Sequence, residues 1–172
     1  MKKYKVALFI GRFQPFHKGH LYSLKKCFEL AERVIVGIGS SQESSTENNP
    51  WDFETRKKMV ESLPAQAGLQ AMPAGRQGES LKVVALPDYP DDREWLKEVD
   101  ERVGNFEVVV SNNEWVLSIM QEAGCQTVET GLFNREEWEG VKIREMMRVG
   151  DAGWKSRVPK EVLGQIGYTL HG

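Results

Sequence analysis

Cysteine, histidine and long apolar runs are all scarce in this chain of 172 residues. Its two cysteines, Cys27 and Cys125, lie far apart in unrelated sequence contexts, which predicts neither a disulfide framework nor a zinc site. No apolar stretch approaches the roughly 20 residues that a membrane-spanning helix needs. Gly11 and Arg12 also end the first apolar run before it reaches the length of a signal-peptide core. We therefore expect a cytoplasmic protein with no membrane partner.

The chain also lacks an excess of charge of either sign. It has 23 Lys and Arg residues against 25 Asp and Glu residues, and its formal net charge is -2. This balance argues against broad electrostatic binding of nucleic acid, but it allows a local cluster of positive charge around a small anionic ligand. A chain of this length removes roughly two thirds of its unfolded surface from water, so one core can hold it. We expect a single domain over residues 1–172.

Apolar segments of strand type alternate with segments of helical period along the chain. A strand at 4–10, a helix at 19–32 and a strand at 33–38 form the first unit, and the crossover helix makes its two strands parallel. The pattern continues with a helix from the cap Asp52 to Leu63, a strand at 81–86, a helix at 92–103, a strand at 106–110, a helix at 114–122, a strand at 126–128, a helix at 141–149 and a last helix after Pro159. This order predicts an α/β fold, a Rossmann-like parallel sheet with helices on both faces.

One segment breaks the alternation. Residues 64–80 are rich in Ala, Gly and Gln and show neither period. Arg76 is the one basic residue of this segment. We expect a surface loop that is a tolerated insertion.

The stretch GRFQPFHKGH at residues 11–20 directly follows the first strand and ends where the first helix begins. Ligands of open α/β sheets collect at this position, because the first turn of the helix offers unpaired N–H groups and the positive end of its dipole. Two of the three histidines in the chain, His17 and His20, lie in this stretch beside Arg12 and Lys18. The combination favours a phosphate site over a structural role for the histidines.

Spacing within this stretch narrows the mode of phosphate binding. His17 and His20 are three residues apart, so both imidazoles can face one phosphate chain from a helix that starts near Gly19. Gly11 lets the backbone approach a ligand closely, and Gly19 removes a side chain that a triphosphate would meet. The spacings of a Walker-type loop and of a G-x-G-x-x-G dinucleotide fingerprint are both missing.

The same stretch resembles the H-x-G-H signature of the nucleotidylyltransferase superfamily, and its GRFQP form resembles the archaeal-type nicotinamide-nucleotide adenylyltransferases. The similarity extends along nearly the whole chain. Further segments that resemble the family's are IGSSQ at 38–42, NPW at 49–51 with ETR at 54–56, LPD at 86–88 with Trp95, SNN at 111–113, GVKIR at 140–144, and Gly150 with Trp154 and the VP pair at 158–159.

The resemblance implies transfer of AMP from ATP to nicotinamide mononucleotide, which forms NAD and releases pyrophosphate. It assigns His17, His20, Arg12 and Arg144 to catalysis, and it assigns to ATP binding Gly11, Phe13, Lys18, Gly19, Gly140 and Ile143. The residues implied for the mononucleotide are Ser40, Arg56, Asp88, Trp95 and Asn112, with Arg56 on a phosphate and Trp95 on the pyridinium ring. Mg²⁺ is implied on the ATP phosphates without a protein metal site, and the protein is implied to be a homo-oligomer.

The chain departs from the family pattern at two places. Glu139 and Val141 stand where the family commonly has small hydroxyl residues around the glycine, so a hydroxyl that could bind phosphate is gone. A helix N-terminus still offers backbone N–H groups there, and we expect the site to persist with altered detail. The insertion at 64–80 has no counterpart in that pattern.

Two other functions stay open at this stage. The first is an adenylyltransferase of the same superfamily that acts on flavin mononucleotide or phosphopantetheine, from which only Asp88 and Trp95 separate this chain. The second is a non-catalytic nucleotide-binding protein, which the loss of the hydroxyls around Gly140 makes conceivable.

Overall fold

Five parallel strands form the sheet in the part of the chain that the computed structural model describes, residues 1–63, 80–131 and 137–167. They are β1 (Tyr4–Gly11), β2 (Ala31–Ile38), β3 (Leu81–Ala85), β4 (Val108–Val110) and β5 (Thr127–Val128). Their order across the sheet is β3-β2-β1-β4-β5. The central strand β1 is a continuous apolar run that is buried on both faces, as parallel strands covered by helices require.

Helices cover both faces of this sheet. In chain order they are α1 (Lys18–Leu30), α2 (Phe53–Glu61), α3 (Asp92–Val103), α4 (Glu114–Glu122), α5 (Gly140–Arg148), a 3₁₀ helix (Ala152–Arg157) and α6 (Lys160–Ile166). Ala7 and Phe9 of β1 pack in one core with residues of α1, α2, α5 and α6, whereas Leu8 and Ile10 pack in a second core with α3 and α4. The predicted α/β architecture is therefore confirmed. None of the helices in the described ranges is long and apolar enough to cross a lipid bilayer.

The strand order places a candidate site between β1 and β4. The chain moves from β1 outward to β2 and β3, then returns to the other side of β1 with β4. At such a switch point the loops that follow the two strands diverge and leave a crevice at the carboxyl edge. The register pairs Phe9 of β1 with Val110 of β4. Gly11, the last residue of β1, and Ser111, the first residue after β4, therefore lie at the same edge of the sheet.

Most of the predicted elements are present, and their ends differ by a few residues. The predicted helix at 19–32 ends at Leu30, because Ala31 has an extended backbone (φ -129°, ψ 154°) and already pairs with Tyr4 in the sheet. The strand predicted from 106 begins at Val108. Of the predicted insertion at 64–80, residues 64–79 lie outside the described residues, and Ser80 is buried rather than on the surface.

The N-cap predicted at Asp52 is confirmed, because its side chain accepts a hydrogen bond of 2.8 Å from the N–H of Thr55. Replacing Asp52 with Ala is expected to lower the free energy of unfolding by about 1 kcal/mol. Urea denaturation measures this loss. The Asp52→Asn variant is the matched control, since asparagine caps a helix about as well as aspartate. Equal losses in the two variants would contradict the capping role.

Candidate active site at the carboxyl edge of the sheet

A cavity of about 310 Å³ opens where the sequence predicts the phosphate site. It lies between the loop after β1, the loop after β4 and the start of α5. Its lining includes nine of the predicted site residues, namely Gly11, Arg12, Phe13, His17, Gly19, His20, Asn112, Gly140 and Arg144. The chain thus brings together, from three separate segments, most of the residues assigned to ATP.

His17 and His20 cap the first turn of α1 for each other. The N–H of His20 donates to Nδ1 of His17 at 3.4 Å, and the N–H of His17 donates to Nδ1 of His20 at 3.2 Å. The two rings stack with their centroids 3.6 Å apart. Because each Nδ1 accepts a hydrogen bond, the proton of each neutral imidazole lies on Nε2. The pair therefore keeps two Nε2–H donors for a ligand in the cavity.

The surroundings of the two imidazoles favour their neutral forms. Burial lowers the pKa of His17 to about 3. Burial also lowers the pKa of His20 well below its ordinary value, and the neighbouring His17 lowers it further. Phe13 contacts the His20 ring edge-on at a centroid distance of 4.9 Å, and Phe16 lies at 5.3 Å. An anionic ligand in the cavity would raise both pKa values again, because nearby negative charge favours the protonated ring.

Gly19 makes room for this arrangement of rings. A Cβ atom at Gly19 would lie 3.0 Å from Nδ1 and Cε1 of His17. The sequence predicts that the missing side chain clears space for a triphosphate, and the structure adds that it clears space for the His17 ring itself.

Arg144 brings an arginine from α5 into the same cavity. It is 5% exposed, and its Nη1 donates to the carbonyl oxygen of Gln14 at 2.6 Å. Its buried Nε has no hydrogen-bond acceptor among the described residues. A Cβ at Gly140 would lie 3.0 Å from the Gln14 oxygen and 3.3 Å from Nη1 of Arg144, so a side chain there would make these tightly packed neighbours shift. A buried donor without a partner indicates room for an anion.

Positive charge is concentrated around Arg144. Burial lowers the pKa of Arg144, and the positive charges of Arg12 and Arg148 lower it further. The first N–H groups of α5 have no partner within the helix and lie at the same edge of the cavity. The carboxylate of Glu47 opposes this lowering of the pKa of Arg144, and Glu139 also lines the cavity. Cations and helix N–H groups that converge at one edge suit phosphate oxygens.

The structure places Arg56 differently from the prediction. Its side chain is 0% exposed, and it does not line the cavity. All five of its N–H groups donate to backbone carbonyl oxygens, those of Asp52, Arg12, Gly39, Ser40 and Glu43. These bonds use every donor of the guanidinium, and the direct contact with the mononucleotide phosphate stays a prediction. Burial lowers the pKa of Arg56 to about 10, which leaves the guanidinium charged near neutral pH.

The predicted nicotinamide residues, Asp88 and Trp95, lie outside the cavity. Asp88 is exposed and exchanges two hydrogen bonds of 3.0 Å with the side chain of Gln42. Trp95 is 3% exposed and packs in the second core. The ring that reaches the surface is Trp115, which is 45% exposed and contacts Trp95 edge-on with centroids 4.9 Å apart.

The remaining predicted residues have structural contacts. Ile143 is fully buried in the first core, and Lys18 is exposed outside the cavity lining. Ser40 is buried at the end of β2, with a positive φ of 47°. Asn112 lines the cavity, but its amide nitrogen donates to Ser23 and Gly131 and its oxygen accepts from Thr130. A substrate would compete with these bonds for the Asn112 side chain.

Sequence reasoning missed Gln14, Gln42 and Trp115. Gln14 exchanges two hydrogen bonds with the backbone of Trp51, at 2.8 Å from its Nε2 and 3.1 Å to its Oε1. Trp115 carried a usable signal, because it follows a predicted strand end by a few residues and is a large aromatic in the first turn of a helix. No local pattern reveals Gln14 or Gln42, since their partners lie 37 and 46 residues away.

Comparison with known proteins agrees with this geometry. The Cytidylyltransferase-like family model matches residues 8–127. A nicotinamide-nucleotide adenylyltransferase from Ignicoccus hospitalis is 33% identical over 164 residues, which cover 94% of this chain and 92% of that relative. The chain belongs to the nicotinamide-nucleotide adenylyltransferase family. Another member, from Pyrococcus furiosus, is 34% identical over 162 residues, which cover 94% of this chain and 82% of that protein.

Solved structures extend the comparison of this adenylyltransferase family member. A bifunctional NMN adenylyltransferase/ADP ribose pyrophosphatase from Francisella tularensis superposes with a TM-score of 0.65 at 25% identity. The match covers 92% of this chain and 44% of that one, so this chain spans less than half of the bifunctional protein. Family membership confirms the resemblance, the Rossmann-like fold and the nucleotidyltransferase class that the sequence predicts.

The buried His17 of this adenylyltransferase family member is expected to make stability depend on pH. Its pKa of about 3 in the folded chain lies below the value of about 6.5 in an unfolded chain. Between these values the unfolded state binds more protons. The free energy of unfolding should therefore fall below about pH 6.5, by up to about 1.4 kcal/mol per pH unit.

Urea denaturation at pH 7 and pH 5 checks this dependence. In the control variant His17→Asn, asparagine can still cap α1 but does not titrate. This variant should lose less stability than the wild type over the same interval. Equal losses in both proteins would show that His17 does not cause the dependence.

Proposed function

We propose that the protein transfers AMP from ATP to nicotinamide mononucleotide, forming NAD and pyrophosphate, and that the cavity at residues 11–20 and 140–144 binds the ATP phosphates. The observation that carries the site assignment is the convergence of Arg144, the start of α5 and the His17–His20 pair on one cavity. Each supplies donors suited to phosphate oxygens, and one buried donor of Arg144 has no partner within the described residues.

The reaction requires the protein to place the two substrates and to stabilise the negative charge on their phosphates. An oxygen of the mononucleotide phosphate forms a bond to the α-phosphorus of ATP, while the bond from that phosphorus to the bridging oxygen breaks and its electrons leave with pyrophosphate. A phosphate nucleophile is already ionised near neutral pH, so the reaction needs no general base. Two polyanions repel each other, and fixed cations and oriented N–H groups offset that repulsion.

The histidines serve this reaction as donors. Burial favours the neutral form of both rings, and their Nδ1 contacts place the proton on Nε2. When the triphosphate approaches, its charge raises their pKa values from the lowered ones, so each ring can donate a charge-assisted bond. We assign His20 to the oxygens that gain charge in the transition state, with His17 beside it. Arg12 and Arg144 bind oxygens from the two sides of the cavity.

We infer that a divalent metal ion, Mg²⁺ by prediction, arrives with the triphosphate. The solved structure from Francisella tularensis is described as a complex with AMP and a Mn ion. The described residues contain no group of three His, Cys, Asp or Glu side chains that could hold a metal. Phosphate oxygens and water would therefore supply most of its ligands, with His17 and His20 nearest to the phosphates. When bound, the ion would neutralise part of the phosphate charge.

One assay tests the reaction. The purified protein is incubated with ATP, MgCl₂ and a single acceptor, and pyrophosphate release is followed with nicotinamide mononucleotide, nicotinate mononucleotide, flavin mononucleotide or phosphopantetheine. Release with nicotinamide mononucleotide, together with NAD formation, supports the proposal. Release only with flavin mononucleotide or phosphopantetheine would reassign the acceptor. No release with any acceptor would leave a nucleotide-binding protein without this activity.

Replacing Arg144 with Met is expected to lower kcat by about a hundredfold or more, because a charged donor to the reacting phosphates is lost. Steady-state kinetics with ATP and nicotinamide mononucleotide measure the effect. Arg33→Met is the matched control, since Arg33 is exposed near the amino end of β2, away from the cavity. An unchanged kcat in Arg144→Met would remove Arg144 from the reaction.

Replacing Trp115 with Leu is expected to raise the KM for nicotinamide mononucleotide about threefold to tenfold, because an aromatic contact contributes about 0.5–1.5 kcal/mol. Trp115 offers the exposed indole beside buried Trp95, two residues after Asn113 at the cavity rim. The KM for ATP should stay constant. Val149→Ala, which trims another exposed apolar side chain, is the control. A larger effect on ATP than on the mononucleotide would overturn this assignment of the acceptor side.

A further inference from the structure

Arg56 is a charged side chain that the surrounding structure encloses completely. It is 0% exposed and donates every N–H to a backbone carbonyl oxygen. Burying a cation is costly unless it is fully hydrogen-bonded. If α2 needed only a core residue at this position, an apolar side chain would serve without that cost. The five carbonyl contacts therefore indicate what the guanidinium does.

Two of these carbonyls immediately precede residues with strained backbones. Nη1 donates to the oxygen of Arg12 at 3.0 Å and to that of Gly39 at 2.8 Å. The peptide bonds that carry those oxygens lead into Phe13 (φ 55°) and Ser40 (φ 47°). Residues other than glycine rarely adopt such left-handed conformations, and they keep them only where the surroundings determine them. One guanidinium thus orients the peptide plane in front of each of these two residues.

The guanidinium of Arg56 also binds carbonyl oxygens that follow the strained peptide in the turn at Ser40. Nη2 donates to the oxygen of Ser40 at 3.0 Å and to that of Glu43 at 3.4 Å. Nε donates to the oxygen of Asp52 at 3.2 Å, which ties the guanidinium to the first turn of its own helix. The segment at residues 39–43 is therefore bound to Arg56 at three carbonyl oxygens.

The turn at Phe13 lines the candidate active site, and the turn at Ser40 adjoins it without lining the cavity. The turn at Phe13 starts the loop that ends in His17 and His20, and Phe13 contacts the His20 ring. The turn at Ser40 follows β2, and the N–H of Gly39 donates to the oxygen of Gly11 at 2.9 Å. Beyond it, the N–H of Ser41 donates to the oxygen of Leu86, and Gln42 bonds Asp88. The loops after β1, β2 and β3 are therefore joined in one chain of contacts.

We propose that Arg56 is a positioning residue for adenylyl transfer, whose guanidinium fixes the left-handed turns at Phe13 and Ser40 through their neighbouring carbonyl oxygens. The proposal rests on the proposed function, because its readout is that reaction. Arg56 touches no substrate. It sets the distance between the phosphate loop after β1 and the loops after β2 and β3, on which the acceptor is expected to lie.

Arginine suits this task for a geometric reason. Its planar group presents five donors in a fixed fork, so one side chain can bind carbonyls from several segments in one plane. Lysine keeps the charge but has three donors on a single nitrogen, which cannot reach the same set of oxygens. The Arg56→Lys variant therefore keeps the positive charge and removes the planar group with its five donors.

The first experiment compares Arg56→Lys with Arg102→Lys. Arg102 is on the surface of α3, where it pairs with Glu98. We expect Arg56→Lys to keep the circular dichroism spectrum of the wild type, to lower kcat tenfold or more and to raise the KM of both substrates, since small displacements of reacting groups are costly in rate. Arg102→Lys should match the wild type. Wild-type kinetics in a folded Arg56→Lys variant would overturn the proposal.

The second experiment tests the turn itself. Ser40→Gly and Ser40→Ala both lack the serine hydroxyl, but only glycine adopts φ near 47° without strain. In the Arg56→Lys background, Ser40→Gly should give at least fivefold higher kcat than Ser40→Ala. With Arg56 present, the two variants should differ much less, since the guanidinium holds the turn. The same ratio in both backgrounds would overturn the proposal.

Folding and function failures can be told apart. If Arg56→Lys does not fold, Ser40→Gly should restore folding in that background and Ser40→Ala should not. Restoration by both or by neither would show that Arg56 acts only as a part of the core, and would overturn the proposal. A wild-type protein that releases no pyrophosphate with any acceptor would instead reject the proposed function. If the wild type is active and the Arg56→Lys variant has the same activity, only the proposed role of Arg56 is rejected.

Discussion

Side chains from distant parts of the chain hold the backbone of the loop between β1 and α1. Arg56 of α2 binds the carbonyl oxygen of Arg12, and Arg144 of α5 binds that of Gln14. The side chain of Gln14 in turn bonds the backbone of Trp51. Buried backbone polar groups need partners, and these three contacts supply them where no regular secondary structure does. The conformation that presents His17 and His20 thus depends on contacts far away in sequence.

Electrostatics at this site follow from the same packing. The two arginines that hold the loop have different roles, because Arg144 keeps a buried donor beside the cavity whereas Arg56 keeps none. Burial lowers the pKa of both imidazoles and favours their neutral forms, and the rings of Phe13 and Phe16 contact His20. Arginine and the helix terminus therefore carry the positive charge of the cavity lining. A polyphosphate would pair with these donors.

The loss of the small hydroxyl residues around Gly140 fits this arrangement. Glu139 precedes α5 and its side chain makes no cap hydrogen bond, and Val141 is 55% exposed at the cavity lining. What α5 contributes is instead its backbone N–H groups and Arg144. The close approach of Gly140 to Gln14 places that helix start against the loop after β1. In the proposed function, phosphate recognition there would rely on backbone and guanidinium donors, which do not require a hydroxyl neighbour.

The sequence by itself determined the order of the elements, the presence of helices on both faces of the sheet and the position of the loop between β1 and α1. These follow from local rules: alternating periods mark strands and helices, Asp52 caps a helix, and a strand-to-helix loop with two histidines lies at the carboxyl edge of a parallel sheet. Only the tertiary structure decided the contacts and burial of Arg56, Trp95 and Gln14. The sequence does not distinguish an arginine whose guanidinium binds a phosphate from one whose guanidinium binds five carbonyl oxygens. Nor does it distinguish a tryptophan with an exposed ring from one with a buried ring. Those outcomes depend on which segments pack around the side chain, and these partners lie 37 to 130 residues away along the chain for the long-range contacts of Arg56, Gln14 and Gln42 with Arg12, Trp51, Asp88 and Arg144.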